Sequence, residues 1–70
     1  MERKSIVSSN LSSIGYDLPS SILEVEFKNG SIYQYLGVPE NVYKKLVTSP
    51  SIGSYLNKHI KNAYRFNQVK

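Results

Sequence analysis

Hydrophobic and polar residues alternate with a period of two in two neighbouring runs, residues 23–27 and 32–36. This period is typical of β-strands. Between the two runs lies Asn29-Gly30, the residue pair that is favoured in a two-residue type I′ hairpin turn. The pattern therefore predicts a central β-hairpin over about residues 22–36.

A two-residue turn at Asn29-Gly30 also fixes which residues lie opposite each other in this hairpin. It would place Phe27 opposite Ile32, and one face of the hairpin would then be aliphatic. The other face would carry two carboxylates opposite two phenols, from Glu24, Glu26, Tyr33 and Tyr35. We expect this Glu-Tyr face to be open to solvent.

Two stretches after the hairpin have apolar residues at helical spacing. Pro39 and Pro50 can each take the first position of a helix, because that position needs no backbone N–H donor. The sequence thus predicts helices over about residues 39–48 and 50–63. The predicted fold class is α+β, a small antiparallel sheet with a central β-hairpin packed by two C-terminal helices.

The chain of 70 residues has the length of one small domain, which we expect to include residues 1–70. Residues 5–18 indicate strands or extended segments that end before Pro19. We expect residues 1–4 to be loose, while residues 66–70 form either a last strand or a frayed end.

The chain contains no cysteine, which excludes disulfides and thiolate metal sites and suits a reducing compartment. No apolar run approaches the length of a membrane span. From these two observations we expect a soluble cytoplasmic protein that does not interact with membranes.

Charge is distributed unevenly along the chain, whose formal net charge is +4. The first forty residues contain three basic and five acidic residues, a formal charge of −2, whereas the residues after Glu40 contain six basic residues and no acid. A face that attracts anions such as phosphates is one interpretation. The alternative is a solvated surface that keeps a small protein soluble.

A series of short motifs follows in one order from about residue 8 to residue 64. It consists of Gly15-Tyr16-Asp17, Leu23-x-Val25-x-Phe27, Gly30, Tyr33-Gln34-Tyr35, Val38-Pro39, Val42-Tyr43, Leu46, Ser51-x-Gly53-x-Tyr55, Asn57, Ile60-Lys61 and Tyr64. In order and spacing this series resembles the KTSC domain, which occurs at the C-terminus of some lysyl-tRNA synthetases and alone in short bacterial proteins. Leu56, where the family pattern favours Phe, and Pro50 depart from it. The resemblance implies no catalytic residues, and it suggests RNA binding only through the synthetase context.

Catalysis has little support in the residues themselves. Without cysteine, a nucleophile would need an activating base, and the single histidine, His59, lies in a predicted helix without acidic residues. One histidine without carboxylates at helical spacing does not make a metal site either. We expect no enzyme activity, no metal and no cofactor.

A basic stripe is the strongest electrostatic feature of the second predicted helix. At helical spacing, Lys58, Lys61 and Arg65 fall within one narrow sector, with Asn57 and Tyr64 at its edge. These residue types suit phosphate contact and base stacking. The alternative is an ordinary solvated helix surface.

The Glu-Tyr face is a second candidate site. Tyr33 and Tyr35 are similar to the stacking platform of an RNA-binding sheet, but Glu24 and Glu26 would repel phosphates there. We therefore favour self-association or a protein partner for this face.

A third candidate, an anion site, lies at the predicted start of the second helix. Ser51, Gly53 and Ser54 supply hydroxyls and a close approach to backbone N–H groups. Helix capping and close packing at Gly53 explain the same residues, and we favour that interpretation.

These observations favour a non-enzymatic binding module that binds RNA or another nucleic acid through the basic C-terminal helix face. The alternative is a small homo-oligomer that binds a nucleotide or a protein partner, as a regulator or inhibitor of a host system.

Overall fold

The computed structural model describes residues 3–70. The described chain forms five strands, two α-helices and one π-helical segment. In chain order these are β1 (Lys4–Ser5), β2 (Leu11–Asp17), β3 (Ile22–Phe27), β4 (Ile32–Tyr35), α1 (Glu40–Val47), α2 (Ile52–Tyr55), the π-helical segment (Leu56–Ile60) and β5 (Phe66–Gln68). None of the helices within residues 3–70 is both long and apolar enough to cross a membrane.

All five strands belong to one antiparallel sheet, and they lie side by side in the same order as in the sequence. The first four strands form a meander with short connections. The chain then forms the helices and returns, so that β5 pairs with β4 at the edge of the sheet. Of the two alternatives for residues 66–70, a last strand or a frayed end, a strand forms over Phe66–Gln68. Of residues 1–4, which were expected to be loose, Lys4 begins β1, and Met1 and Glu2 lie outside the described residues.

The predicted architecture is wrong, although the molecule is α+β in the broad sense. Instead of a small sheet centred on a hairpin over residues 22–36, the structure has a sheet of five strands, in which β3 and β4 are two neighbours of a longer meander. The two C-terminal helices of about residues 39–48 and 50–63 are also shorter than predicted. Pro39 is the N-cap of α1, and the second helix consists of the four residues of α2 and the π-helical segment.

The π-helical segment is defined by hydrogen bonds that reach one residue further than in an α-helix. At its end, the backbone N–H of Lys61 donates to the carbonyl oxygen of Leu56, with an N–O distance of 2.8 Å. The helix ends with this wider turn at Ile60, before the predicted end at about residue 63, and the chain then continues to β5. π-Helical turns of this kind are rare and are found often at functional sites.

The register of β3 and β4 also differs from the predicted one. Glu26, not Phe27, lies opposite Ile32. The connection is a three-residue loop, in which the N–H of Gly30 donates to the carbonyl oxygen of Phe27 at 2.9 Å and Gly30 has a φ of +92°. Such loops combine a type I turn with a final residue of positive φ, which glycine adopts without strain.

This shift of one residue turns the side chains of β4 to the opposite face relative to those of β3. Leu23 now lies opposite Tyr35, and Val25 lies opposite Tyr33, on the face that packs against the helices. Glu24 and Glu26 lie on the other face. The buried core consists of Leu11, Ile14, Leu23, Val25, Tyr35, Val38, Leu46, Leu56 and Ile60.

Candidate anion-binding groove

A groove with a volume of about 670 Å³ lies where three connections of the fold meet. Its walls come from the β1–β2 loop, the β3–β4 loop, and the α1–α2 loop with the helical residues that follow it. The backbone N–H of Lys28 donates to the carbonyl oxygen of Asn10 at 2.9 Å, which joins the first two walls. Gly53 packs against the first wall, since a Cβ atom there would lie 3.3 Å from Ser8 Oγ.

The lining of this groove is basic and polar. It contains Lys28 and Lys61 but no Asp or Glu. Within residues 3–70 neither lysine belongs to a salt bridge; the pairs that form there are Arg3 with Glu24 and Lys44 with Glu40. The positive charge of the groove is therefore not neutralised by a neighbouring carboxylate, and such a cleft attracts anions.

Polar side chains beside the two lysines add hydrogen-bonding capacity. They comprise three amides and five hydroxyls, from Asn10, Asn29, Asn57, Ser8, Ser9, Ser49, Ser51 and Ser54. Two of the hydroxyls already serve the backbone: Ser8 Oγ accepts from the N–H groups of Asn10 and Leu11, and Ser49 Oγ accepts from the N–H of Ser51. In the described part of the chain, the side chains of Ser54, Asn57 and Lys61 make no hydrogen bond, so they are available to a ligand.

A smaller pocket of about 190 Å³ adjoins the groove. It is lined by Phe27, Asn29, Ser31, Tyr33 and Lys61, of which Phe27, Asn29 and Lys61 also line the groove. The two spaces therefore lie beside each other, with these three residues between them. The rings of Phe27 and Tyr33 are nearly perpendicular, at 78°, with their centroids 5.3 Å apart.

The two tyrosines of β4 differ in exposure. Tyr33 is half-buried and stacks on Phe66, with ring centroids 5.4 Å apart. Tyr35 is only 1% exposed, and its burial, with a smaller effect of Tyr33, raises the pKa of the Tyr35 phenol. The expectation that both rings form an open face is therefore wrong, because one of them belongs to the core.

The carboxylates that were expected beside these tyrosines lie on the opposite face of the sheet. Glu24 Oε2 is 2.7 Å from Arg3 Nη1, and Glu24 Oε1 accepts a hydrogen bond from Gln34 Nε2 at 2.8 Å. Glu26 Oε1 accepts from Ser13 Oγ at 2.9 Å. The glutamates and tyrosines therefore do not form a single Glu-Tyr face. Self-association, which was predicted from that face, stays a prediction and has lost the surface on which it was based.

The structure divides the predicted basic stripe. Asn57 and Lys61 line the groove, whereas Lys58 and Arg65 are exposed outside it. Tyr64 is half-buried and packs against the core cluster. The stripe is therefore not one continuous contact surface around the groove.

The residues of the predicted anion site lie in the same groove as Asn57 and Lys61. Ser51, Gly53 and Ser54 all line it. Ser51 is the N-cap residue of α2, but its side chain makes no capping hydrogen bond. Gly53 fits the alternative of close packing, given its short distance to Ser8. The predicted basic stripe and the predicted anion site thus both contribute residues to one surface.

Sequence reasoning missed Lys28 and the β1–β2 loop as parts of a site. Lys28 directly precedes Asn29-Gly30, so its position in a turn was a usable signal. The segment that contains Ser8 and Asn10 offers no comparable signal, because its part in the groove depends on packing between distant parts of the chain.

Among residues 3–70, no three carboxylate or imidazole side chains lie close enough together to hold a metal ion. The exposed His59 ring packs against Tyr55, with centroids 4.5 Å apart.

Comparison with known proteins places the whole fold in one family. The sequence profile of the KTSC domain matches residues 7–64. A protein of Stutzerimonas stutzeri is 42% identical over 70 residues, covering 99% of both chains. A KTSC domain protein of Yersinia pestis, known from a crystal structure, superimposes with a TM-score of 0.93 at 34% identity, covering 99% of this chain and 97% of that one.

A region of the lysine–tRNA ligase of Nostoc punctiforme is 39% identical over 54 residues, which is 77% of this chain but 10% of the ligase. The chain therefore corresponds to a small part of that enzyme. The profile match, the Stutzerimonas relative and the Yersinia structure agree along nearly the full length, and the chain belongs to the KTSC domain family.

Proposed function

We propose that this KTSC domain is a non-catalytic module that binds single-stranded RNA in the basic groove. The observation that carries the proposal is the position of Lys28 and Lys61, which line one groove from different elements with no carboxylate in the lining. Cationic grooves that follow the sugar-phosphate backbone are the common feature of proteins that bind single strands.

The ligand chemistry follows from the lining. Two ammonium groups attract phosphates, and serine hydroxyls and asparagine amides donate hydrogen bonds to phosphate and ribose oxygens. The groove, at about 670 Å³, lies within the roughly 300–1,000 Å³ range of small-ligand sites. That volume suits a short stretch of one strand and not the breadth of a duplex.

The relatives of this chain favour RNA over DNA as the ligand. Several relatives of this chain are lysine–tRNA ligases, and a tRNA ligase handles RNA. The similar region is about a tenth of each ligase, so the aminoacylation activity and the tRNA substrate do not transfer to this chain. From the ligase context we take only that the groove of this domain contacts RNA.

A matched pair of double variants tests the proposal. Lys28→Ala with Lys61→Ala removes both groove charges, whereas Lys44→Ala with Lys45→Ala removes two exposed charges on α1 outside the groove. Both variants lower the net charge equally. Affinity for a fluorescent ten-nucleotide single-stranded RNA is measured by anisotropy from low to moderate salt.

The groove variant is expected to lose most of the affinity at low salt. The plot of log affinity against log salt should also become flatter by about 1.4, since each phosphate contact contributes ~0.7 for single strands. The α1 variant should keep the wild-type slope. Equal losses in the two variants, or no binding by the wild type at low salt, would remove the groove as an RNA site.

A further inference from the structure

The smaller pocket combines features that the basic groove lacks. Two rings in its lining, those of Phe27 and Tyr33, lie at 78° to each other and form an aromatic corner. Lys61 lies where this pocket joins the groove, since it lines both. An aromatic corner directly beside an ammonium group matches a planar base attached to a phosphate.

The lining of the pocket also includes polar groups. Asn29 Oδ1 accepts a hydrogen bond from the backbone N–H of Ser31 at 3.0 Å, and this bond fixes which end of the amide is oxygen. The Asn29 Nδ2 group and the Ser31 hydroxyl therefore remain as hydrogen-bonding groups in the same lining as the two rings. Such polar groups suit the polar edge of a base whose flat face packs on the rings.

We propose that the smaller pocket receives one unpaired base of the bound strand, packed in the corner of Phe27 and Tyr33, while Lys61 holds the adjoining phosphate. This inference rests on the proposed RNA binding and adds to it the unit that is recognised. The volume of about 190 Å³ admits a single base and leaves no room for a base pair. The ligand is therefore unpaired at this point, and the base contributes to affinity independently of the charge.

The position of Phe66 provides a control within the same aromatic cluster. Phe66 stacks on Tyr33 at 5.4 Å and is 50% exposed, but it does not line the smaller pocket. Tyr33→Leu and Phe66→Leu both remove one ring from the cluster. Only the first changes the wall against which the base packs.

The experiment compares two polymers with the same charge. One is a ten-nucleotide oligouridine, and the other is an abasic ribose-phosphate oligomer of equal length. The wild type should bind the oligouridine about tenfold or more tightly than the abasic oligomer, because stacking on an aromatic side chain is a substantial part of single-strand affinity. Tyr33→Leu should reduce binding of the oligouridine nearly to the abasic level and leave abasic binding unchanged. Phe66→Leu should change neither affinity more than about twofold.

Chemical-shift mapping on the wild type supplies a second measurement that does not depend on the stability of a variant. The backbone amide resonances of Ser31 and Tyr33 should shift with the oligouridine and stay in place with the abasic oligomer. Equal wild-type affinity for both polymers, or equal losses from Tyr33→Leu and Phe66→Leu, would overturn the base pocket and leave the groove standing. Absence of binding to either polymer would overturn both proposals.

Discussion

The backbone N–H of Lys28 donates a hydrogen bond to the carbonyl oxygen of Asn10, with an N–O distance of 2.9 Å. This bond joins the β3–β4 loop to the β1–β2 loop, so Lys28 extends from a braced backbone and not from a free turn. Ser8 Oγ extends the brace by accepting from Asn10 and Leu11 at 3.3 and 3.4 Å. A site built on fixed backbone loses less conformational entropy when a ligand binds.

The groove and the basic stripe make opposite predictions for two lysines that are close in sequence. Lys61 lines the groove, while Lys58 is exposed outside it. Lys61→Ala should reduce the salt dependence of RNA binding by ~0.7, one phosphate contact. Lys58→Ala should leave it almost unchanged. Anisotropy titrations at several salt concentrations compare the two, and the reverse ranking would place RNA on the outer helix face.

Packing between Gly53 and Ser8 should appear as an energetic coupling. A Cβ at position 53 would lie 3.3 Å from Ser8 Oγ, and that hydroxyl is held by two backbone N–H groups. Gly53→Ala should therefore gain less stability than alanine normally brings to a helix, ~1 kcal/mol. In a Ser8→Ala background the gain should return. A double-mutant cycle by urea denaturation should give a coupling of about 0.5 kcal/mol or more, and additive effects would contradict the contact.

Core packing predicts a large difference between two leucines. Leu46 is 0% exposed on α1, whereas Leu18 is 56% exposed in the turn between β2 and β3. Leu46→Ala should lower the free energy of unfolding by about 2–5 kcal/mol, because it leaves a cavity. Leu18→Ala, the same chemical change at the surface, should alter it by about 0.5 kcal/mol or less. Chemical denaturation of both variants measures the difference, and similar losses would contradict the assigned core.

Burial of Tyr35 predicts a loss of stability at high pH. Its pKa is raised in the folded state, so above the ordinary value of about 10 the unfolded chain releases a proton that the folded chain retains. Unfolding is then favoured as pH rises through the interval between the two pKa values, and the contribution is fully present below pH ~10. Tyr35→Phe should reduce the loss of stability between about pH 9 and pH 11, measured by urea denaturation. An unchanged pH profile in Tyr35→Phe would contradict the effect of this buried phenol.

Local patterns in the sequence predicted the strand character of residues 23–27 and 32–36, but not their register. Asn29-Gly30 suits a two-residue loop as well as the three-residue loop that forms, and the loop length decides on which face each side chain of β4 lies. Tyr35 illustrates the consequence, because its burial depends on that one residue. Tyr35 belongs to the same core cluster as Leu46 and Ile60, and packing in that cluster favours the observed register. These residues lie far along the chain, so no local sequence pattern contains this information.

The candidate site was predictable only in pieces. Lys61 and Asn57 stood out by charge and spacing, and Ser51 and Gly53 by their position at a helix start. Their assembly with Lys28 depends on contacts between loops that are distant in sequence, and those contacts exist only in the folded chain. The π-helical turn at Leu56–Ile60 was also beyond prediction, since the apolar spacing fits an ordinary α-helix equally well.

The place of β5 in the sheet sets an order for the folding reaction. Strands β2, β3 and β4 are consecutive hairpins, and local contacts of this kind form early because they close short loops. β5 can pair with β4 only after residues 36–65 have folded back to the sheet edge, and closing that longer loop costs more conformational entropy. β5 is also a short edge strand whose three residues are all exposed, so we expect it to detach by local unfolding more readily than the inner strands. Because Phe66 of this strand covers Tyr33, local unfolding of the C-terminal end would loosen the aromatic cluster while the meander stays intact.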